Sequence, residues 1–212
     1  MLGPVSKEEI ARKLRLDYQF ANEDHTARVL DSIRILINGW GKDRNQPAIL
    51  NDVAILVSKN FRIKEVAIGL RGSDGLYRMV AFVGYRPDTE SANRRLVFKD
   101  VDFGESAVYV GASISPLTRA YFSEDNPYTN NEEGTYNRPA LLKSKRTRMD
   151  ESIEGDYFDT KICAPDGTML GWIEYSGTTT WKLPDARSIK WIELLASILG
   201  GFLSSGGVQE HK

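Results

Sequence analysis

The segment ARSIKWIELLASILGGFL (186–203) is apolar on two sides at once, and this constrains the fold more than any other stretch of the chain. Ile189, Ile192, Ala196 and Leu199 form one helical stripe, and Trp191, Leu194, Leu195, Ile198 and Phe202 form a second. A helix with two apolar sides needs two partners. One is expected to be a sheet, the other a second helix of this chain or of another protomer. Asp185 is placed to accept hydrogen bonds from the free amides that open the helix, and Gly206-Gly207 to stop it after Leu203.

Immediately upstream, DYFDTKICAPDG and TMLGWIEYSG are strand-like runs joined by Pro165-Asp166-Gly167. Pro presets φ for a turn and Gly supplies a left-handed position, so residues 156–175 read as a β-hairpin. IKEVAIGLRG and LYRMVAFVGY, separated by Ser73-Asp74-Gly75, read as a second hairpin. Before them, a leader MLGPVSKEE runs into a helix expected at about 6–15 with Ser6 as its cap. A stronger helical pattern spans Asp24 to Trp40, where Thr26, Val29, Leu30, Ile33, Leu36, Ile37 and Trp40 recur at helical spacing and Gly39 and Gly41 end the run. A third helix is expected from Pro47 to Lys59, Pro being tolerated in a first turn.

The middle of the chain, Pro87 to Met149, is less regular, and a site is expected there. It holds RRLVFKD, a short helix expected near Phe103–Tyr109, a strand expected in GASISPLTRAYF, and the polar tract SEDNPYTNNEEGTYNRP. So long and polar a tract reads as surface, and long loops in compact domains tend to be functional or mobile. The order of helices, two strands, an insertion, further strands and a closing helix describes an α+β fold with its helices mostly on one side of the sheet.

At 212 residues and 41% apolar content the chain suits one domain with a sizeable core. The net charge of −1 argues against a general nucleic-acid binder. Lys143, Lys145, Arg146 and Arg148 are followed at once by Asp150, Glu151, Glu154 and Asp156, which reads as a solvated loop rather than a phosphate patch. Cys163 is the only cysteine, so no intrachain disulfide is expected. No apolar run approaches the ~20 residues that span a bilayer, and the chain is expected to be cytoplasmic, with neither membrane nor nucleic acid as partner.

These residues resemble the GAF domain family. The resemblance rests on the paired strands VAIGLR and MVAFVGY, the strand at GASISPLTRAYF, and the ending from DTKICAPDGTMLGWIEYSG into KLPDARSIKWIELLASILG. Asp166-Gly167, Gly171 and Leu183-Pro184-Asp185 occupy the places of the family's turn, its Gly-containing strand and its polar break. It implies a GAF-like domain over 23–203, with an extension at 1–22 and a tail at 204–212. The implied fold is an antiparallel sheet of five or six strands, with a ligand pocket on one face roofed by the middle segment. The first and last helices would lie on the other face, often as a dimer bundle. The implied function is a non-catalytic sensory or regulatory module that binds a small molecule, forms a homodimer and signals through its helices or a partner protein. Because the chain ends in GGVQEHK soon after the last helix, a stand-alone sensor, a piece of a longer protein and a module acting on a partner all remain open.

The residues leave the cofactor unknown. The free-methionine-sulfoxide reductases, enzymes of this fold, need a resolving thiol beside the attacking one, and Cys163 is alone. Cys163 reads as a small apolar residue near the sheet. His25 and His211 are not at ligand spacing, and Asp125, Glu132, Glu133 and Asp150 read as solvated acids rather than a metal site. Neither a P-loop nor a dinucleotide fingerprint is present, and the family's cyclic-nucleotide signature does not lie onto this chain. Ser113, Ser115, Thr118 and Arg119 offer hydroxyls and a guanidinium for an anion; Tyr85, Tyr121 and Tyr128 could stack on a flat ligand. The competing reading is that alternate residues of this strand simply pack or face water. Trp172, Trp181 and Trp191 read as core or a dimer seam rather than a cofactor box. A third possibility is an interaction domain whose pocket is closed by side chains.

Overall fold

The computed structural model describes residues 12–16, 24–40, 45–104, 107–109, 111–126, 128 and 131–205. Two compact units divide the chain, Met1–Gly41 and Lys42–Lys212. In the first, residues 12–16 are helical, and the rest of the helix expected at 6–15 lies outside the described residues. Its main element is α1, His25–Gly39, whose N-terminus is capped by Asp24 accepting from the Thr26 amide at 3.3 Å. Val29, Ile33 and Leu36 recur on one helical face, as the spacing predicts.

In the second unit α2, Gln46–Phe61, opens with Asn45 accepting from the Ala48 amide and Pro47 in the first turn, and it ends where Arg62 turns left-handed at φ 54°. Strands β1, Val66–Arg71, and β2, Tyr77–Val83, pair antiparallel. Their turn holds Gly75 at φ 77°, with Asp74 accepting from the Leu76 amide. A helix α3, Pro87–Asn93, and a 3-10 turn at Asp100–Phe103 follow. Residues 107–109 are not helical, so the short helix expected at 103–109 is replaced by this earlier pair. Pro87 at the helix start and Asp88 and Glu90 in its first turn are the signals that place α3 there.

The single strand expected in GASISPLTRAYF is two: β3, Ala112–Ser113, and β4, Thr118–Tyr121, paired to each other. Ser115 causes the break. Its hydroxyl accepts from the Leu117 and Thr118 amides at 3.1 and 3.0 Å and folds the backbone into a turn beside Pro116. Strands β5, Tyr157–Cys163, and β6, Met169–Tyr175, form the expected hairpin, with Gly167 at φ 87°. Helix α4, Ala186–Ser204, is capped by Asp185 accepting from the Ser188 amide at 2.7 Å; Gly206-Gly207 lies outside the described residues.

The sheet is antiparallel, six-stranded and ordered β2-β1-β6-β5-β4-β3. On one face α2 packs against β1 and β2, and α4 against β5 and β6. Phe158, Thr160 and Ile162 of β5 are buried on that side, meeting Ile192, Leu195, Ala196 and Leu199 of α4 in the core. Gly200 permits the approach: a Cβ there would lie 2.0 Å from the Cys163 carbonyl oxygen. A buried polar chain also crosses this face, from Glu193 of α4 to Thr118 at 2.8 Å, Thr118 to Thr160 at 2.9 Å, and Thr160 to the Tyr175 hydroxyl at 3.2 Å.

Candidate functional site

The opposite face of the sheet is built by the alternate residues. Period-two alternation sends Tyr157 and Asp159 of β5, and Trp172 and Glu174 of β6, away from the helices. Asp159 and Glu174 are directly opposed across the hairpin; Arg119 of β4 is opposed to Asp159, and Ala67 of β1 to Glu174. Gly69 of β1 makes room for the Trp172 indole, since a Cβ at that position would lie 2.2 Å from the ring. Trp172 is also packed by Phe103 and Phe98, with centroids at 4.9 and 5.2 Å, and Tyr121 stacks on Tyr157 at 4.5 Å.

The middle segment roofs this face and is pinned by buried amides. Asn137 accepts from the Arg86 amide at 2.8 Å and donates to the Gly84 carbonyl at 2.8 Å and to Glu65 at 2.9 Å. Asn93 donates to the carbonyls of Thr89 and Thr135, both at 2.9 Å, which ties α3 to the turn at 133–135. Arg138 pairs with Glu154 at 2.9 Å. The polar tract is therefore partly interior, because its amide side chains replace the hydrogen bonds that water would give.

Under the roof lie two adjoining cavities of about 260 and 300 Å³ that share Phe98, Tyr109, Tyr157 and Glu174. The first reaches Lys64, Glu65, Tyr85, Asn131, Tyr136 and Glu154. The second is bounded by six aromatic rings, Val108 and the carboxyl groups of Asp102, Asp159 and Glu174. Burial, with the Glu174 charge beside it, pushes the Asp159 carboxyl well above the usual range, partly offset by Arg119. Burial likewise raises Glu174, to about 7, against hydrogen bonds from Tyr85, at 3.2 Å, and from Trp172. Two such neighbours hold a proton between them near neutrality. One Asp159 carboxyl oxygen, Oδ1, is buried and finds no hydrogen-bond partner among the described residues. Lys64 is lowered by burial and then by Arg138, and both cations lie over the Trp181 ring, at 4.2 and 4.3 Å.

The residues singled out from sequence fall in different places. Tyr85 and Tyr121 line the cavities. Arg119 lies on the roofed side of β4, but its guanidinium donates to the Gly104 carbonyl at 3.1 Å. Ser115 and Thr118 both donate to Glu193 of α4, which puts their hydroxyls on the helix-covered face. Ser113 is exposed on the edge strand, and Tyr128 packs edge-on to Tyr136 at 6.2 Å. The acids Asp159 and Glu174, with Trp172 and Tyr157, were not anticipated as a site. A signal for them existed: each acid stands seven residues from the Asp166-Gly167 turn, so the hairpin register itself opposes them. Of the basic cluster, Arg146 is held by Glu124 and Asp156 at 2.9 Å while Lys143, Lys145 and Arg148 are exposed.

No family model matches the sequence, and no curated protein matches it. Solved structures do match in shape. The nlh2 GAF domain of A. aeolicus superposes with a TM-score of 0.56 at 14% identity, over 86% of this chain and 99% of that one. The GAF domain of an Acinetobacter phosphoenolpyruvate-protein phosphotransferase gives 0.51 at 12% identity, over 86% and 97%. The chromophore-binding domain of an R. palustris bacteriophytochrome gives 0.50 at 13% identity, over 83% and 61%. An antiparallel sheet with helices on one face and a roofed hollow on the other defines an α+β class in which strand and helix layers are segregated. Within that class, this chain has the GAF-domain fold.

Proposed function

We propose that the protein is a non-catalytic sensory module that binds a small molecule under the roof of its sheet and reports occupancy through the ordering of that roof. The observation that carries this reading is the pair of adjoining cavities, walled by aromatic rings and floored by ionisable groups that the fold buries without fully pairing. A face closed by side chains for structure alone would have no reason to keep such groups in a hollow. The chromophore-binding domain noted above, of the same fold, supports the reading by likeness of shape.

Thiol redox chemistry fits the residues poorly. Cys163 is half-buried at the end of β5, outside the lining of either cavity, and burial pushes its thiol up, away from the reactive thiolate. Native mass spectrometry of protein purified without denaturation tests the proposal. A small molecule that co-purifies, and whose readdition protects amides of 131–137 from hydrogen exchange, is the expected result. Exchange there that stays unchanged with a molecule confirmed to bind would reject signalling through the roof.

A further inference from the structure

The second cavity has a lining that selects for charge. Its ten residues comprise six aromatic rings, one valine and three carboxyl side chains, with no lysine, arginine or histidine among the described lining. Aromatic faces carry negative quadrupole density and attract cations, and the more so where water is excluded. The nearest cations are partly engaged: Arg119, opposed to Asp159, donates to the Gly104 carbonyl, and Lys64, which lines the first cavity, lies over the Trp181 ring. Asp159 keeps a buried oxygen without a donor, beside Glu174 on the facing strand. An anion placed here would meet three carboxyl groups in the lining, with Arg119 beside Asp159 as the neighbouring counter-charge.

We infer that this cavity takes a flat cation bearing N–H donors, an amidinium or a protonated amino-heterocycle, held between the aromatic rings with its N–H groups on Asp159 and Glu174. The inference rests on reading the roofed face as a ligand site and adds the chemical class of ligand. Two acceptors directly opposed on neighbouring strands suit a donor fork, which two parallel charge-assisted hydrogen bonds would hold in one orientation. The cation replaces the proton that the pair retains near neutrality, so binding releases protons and tightens as pH rises. The other ionisable groups on the walls around the pair are Lys64, Glu65, Tyr85, Asp102, Tyr109, Tyr121, Tyr136 and Tyr157, with Arg119 opposed to Asp159 on β4. Of these, Arg119 on β4 carries a positive charge beside Asp159, and its guanidinium donates to the Gly104 carbonyl.

The test compares three probes of one shape by titration calorimetry and hydrogen exchange on the whole chain: benzamidinium, neutral benzamide and anionic benzoate. Benzamidinium is expected to bind with a Kd of about 1 mM or tighter, within reach of a fragment this small. Benzamide should be at least about tenfold weaker, and benzoate undetectable at about 10 mM. The Asp159→Asn and Glu174→Gln variants should each weaken benzamidinium at least about tenfold and flatten its pH dependence, because each deletes an ionised acceptor. Benzoate binding as tightly as benzamidinium overturns the inference, and so does benzamidinium affinity unchanged in both variants. The comparison of probes on the unsubstituted chain decides the matter even where a variant fails to fold. Benzamide or benzoate protecting 131–137 while benzamidinium does not would remove the cation and leave the sensor site standing. No probe protecting the roof, together with native spectra that show no bound mass, would remove both.

Discussion

At the scale of single residues, the roofed face keeps two acids where acids are costly. Glu174 has a folded pKa near 7, well above the ordinary value of 4.5 that it regains on unfolding. A raised pKa means the folded state binds the proton more tightly, so this contribution to stability is complete below about pH 4.5 and is lost as pH rises through about 7. The free protein is therefore expected to lose stability between pH 5 and 8, and Glu174→Gln to flatten that loss, gaining on the order of 2 kcal/mol at the alkaline end. Urea unfolding at the two pH values measures it; equal slopes in variant and parent would place the buried proton elsewhere. Gly69 makes a second residue-scale prediction. A Cβ at 2.2 Å from Trp172 must push the indole into the cavity, so Gly69→Ala should cost about 1–3 kcal/mol. Adding Trp172→Leu should recover part of that cost, the coupling expected of two residues in contact, whereas simple additivity would show that they do not share the space.

At the scale of elements, what the sequence disclosed was what local chemistry dictates. The cap Asp185 and the turns at Asp74-Gly75 and Asp166-Gly167 each act within a few residues, and each stands where expected. The middle segment was legible as irregular and polar but not in its form. Ser115 breaks one expected strand into two, and Asn93 and Asn137 take partners as far as 42 and 72 residues away. Asp159 and Glu174 look like a solvent face until the roof covers them, and nothing local announces a roof. That dependence is itself testable. Asn137→Ala removes the donor to Glu65 and Gly84 and the acceptor of the Arg86 amide, so amides of 131–138 should exchange markedly faster while those of β5 and β6 hardly change. Uniform acceleration across the sheet would instead make the roof part of the global folding unit.

At the scale of the whole molecule, α4 leaves the question of what its second stripe meets. Ile189, Ile192, Leu195, Ala196 and Leu199 are buried, so the sheet-facing stripe takes in Leu195 from the other set. Leu194 remains 42% exposed, with Trp191 and Ile198 half-buried beside it. Apolar residues gathered on one helix face commonly mark a contact with another protein surface. Self-association through this face is expected, with a second copy presenting the same stripe about a two-fold axis, as most homodimers do. Sedimentation at concentrations of tens of micromolar, about where weak dimers populate, should report twice the monomer mass. Leu194→Glu separates the dimer from the fold: placed on an exposed position, its charge costs a monomer little, but in a seam it meets its own copy and must shed water. The variant is expected to sediment as a monomer with unfolding unchanged within about 0.5 kcal/mol, the usual range for exposed substitutions. A parent chain already monomeric under these conditions would overturn the dimer. A variant that stays dimeric would move the seam off α4, and with it the route by which a filled pocket could be felt beyond this domain.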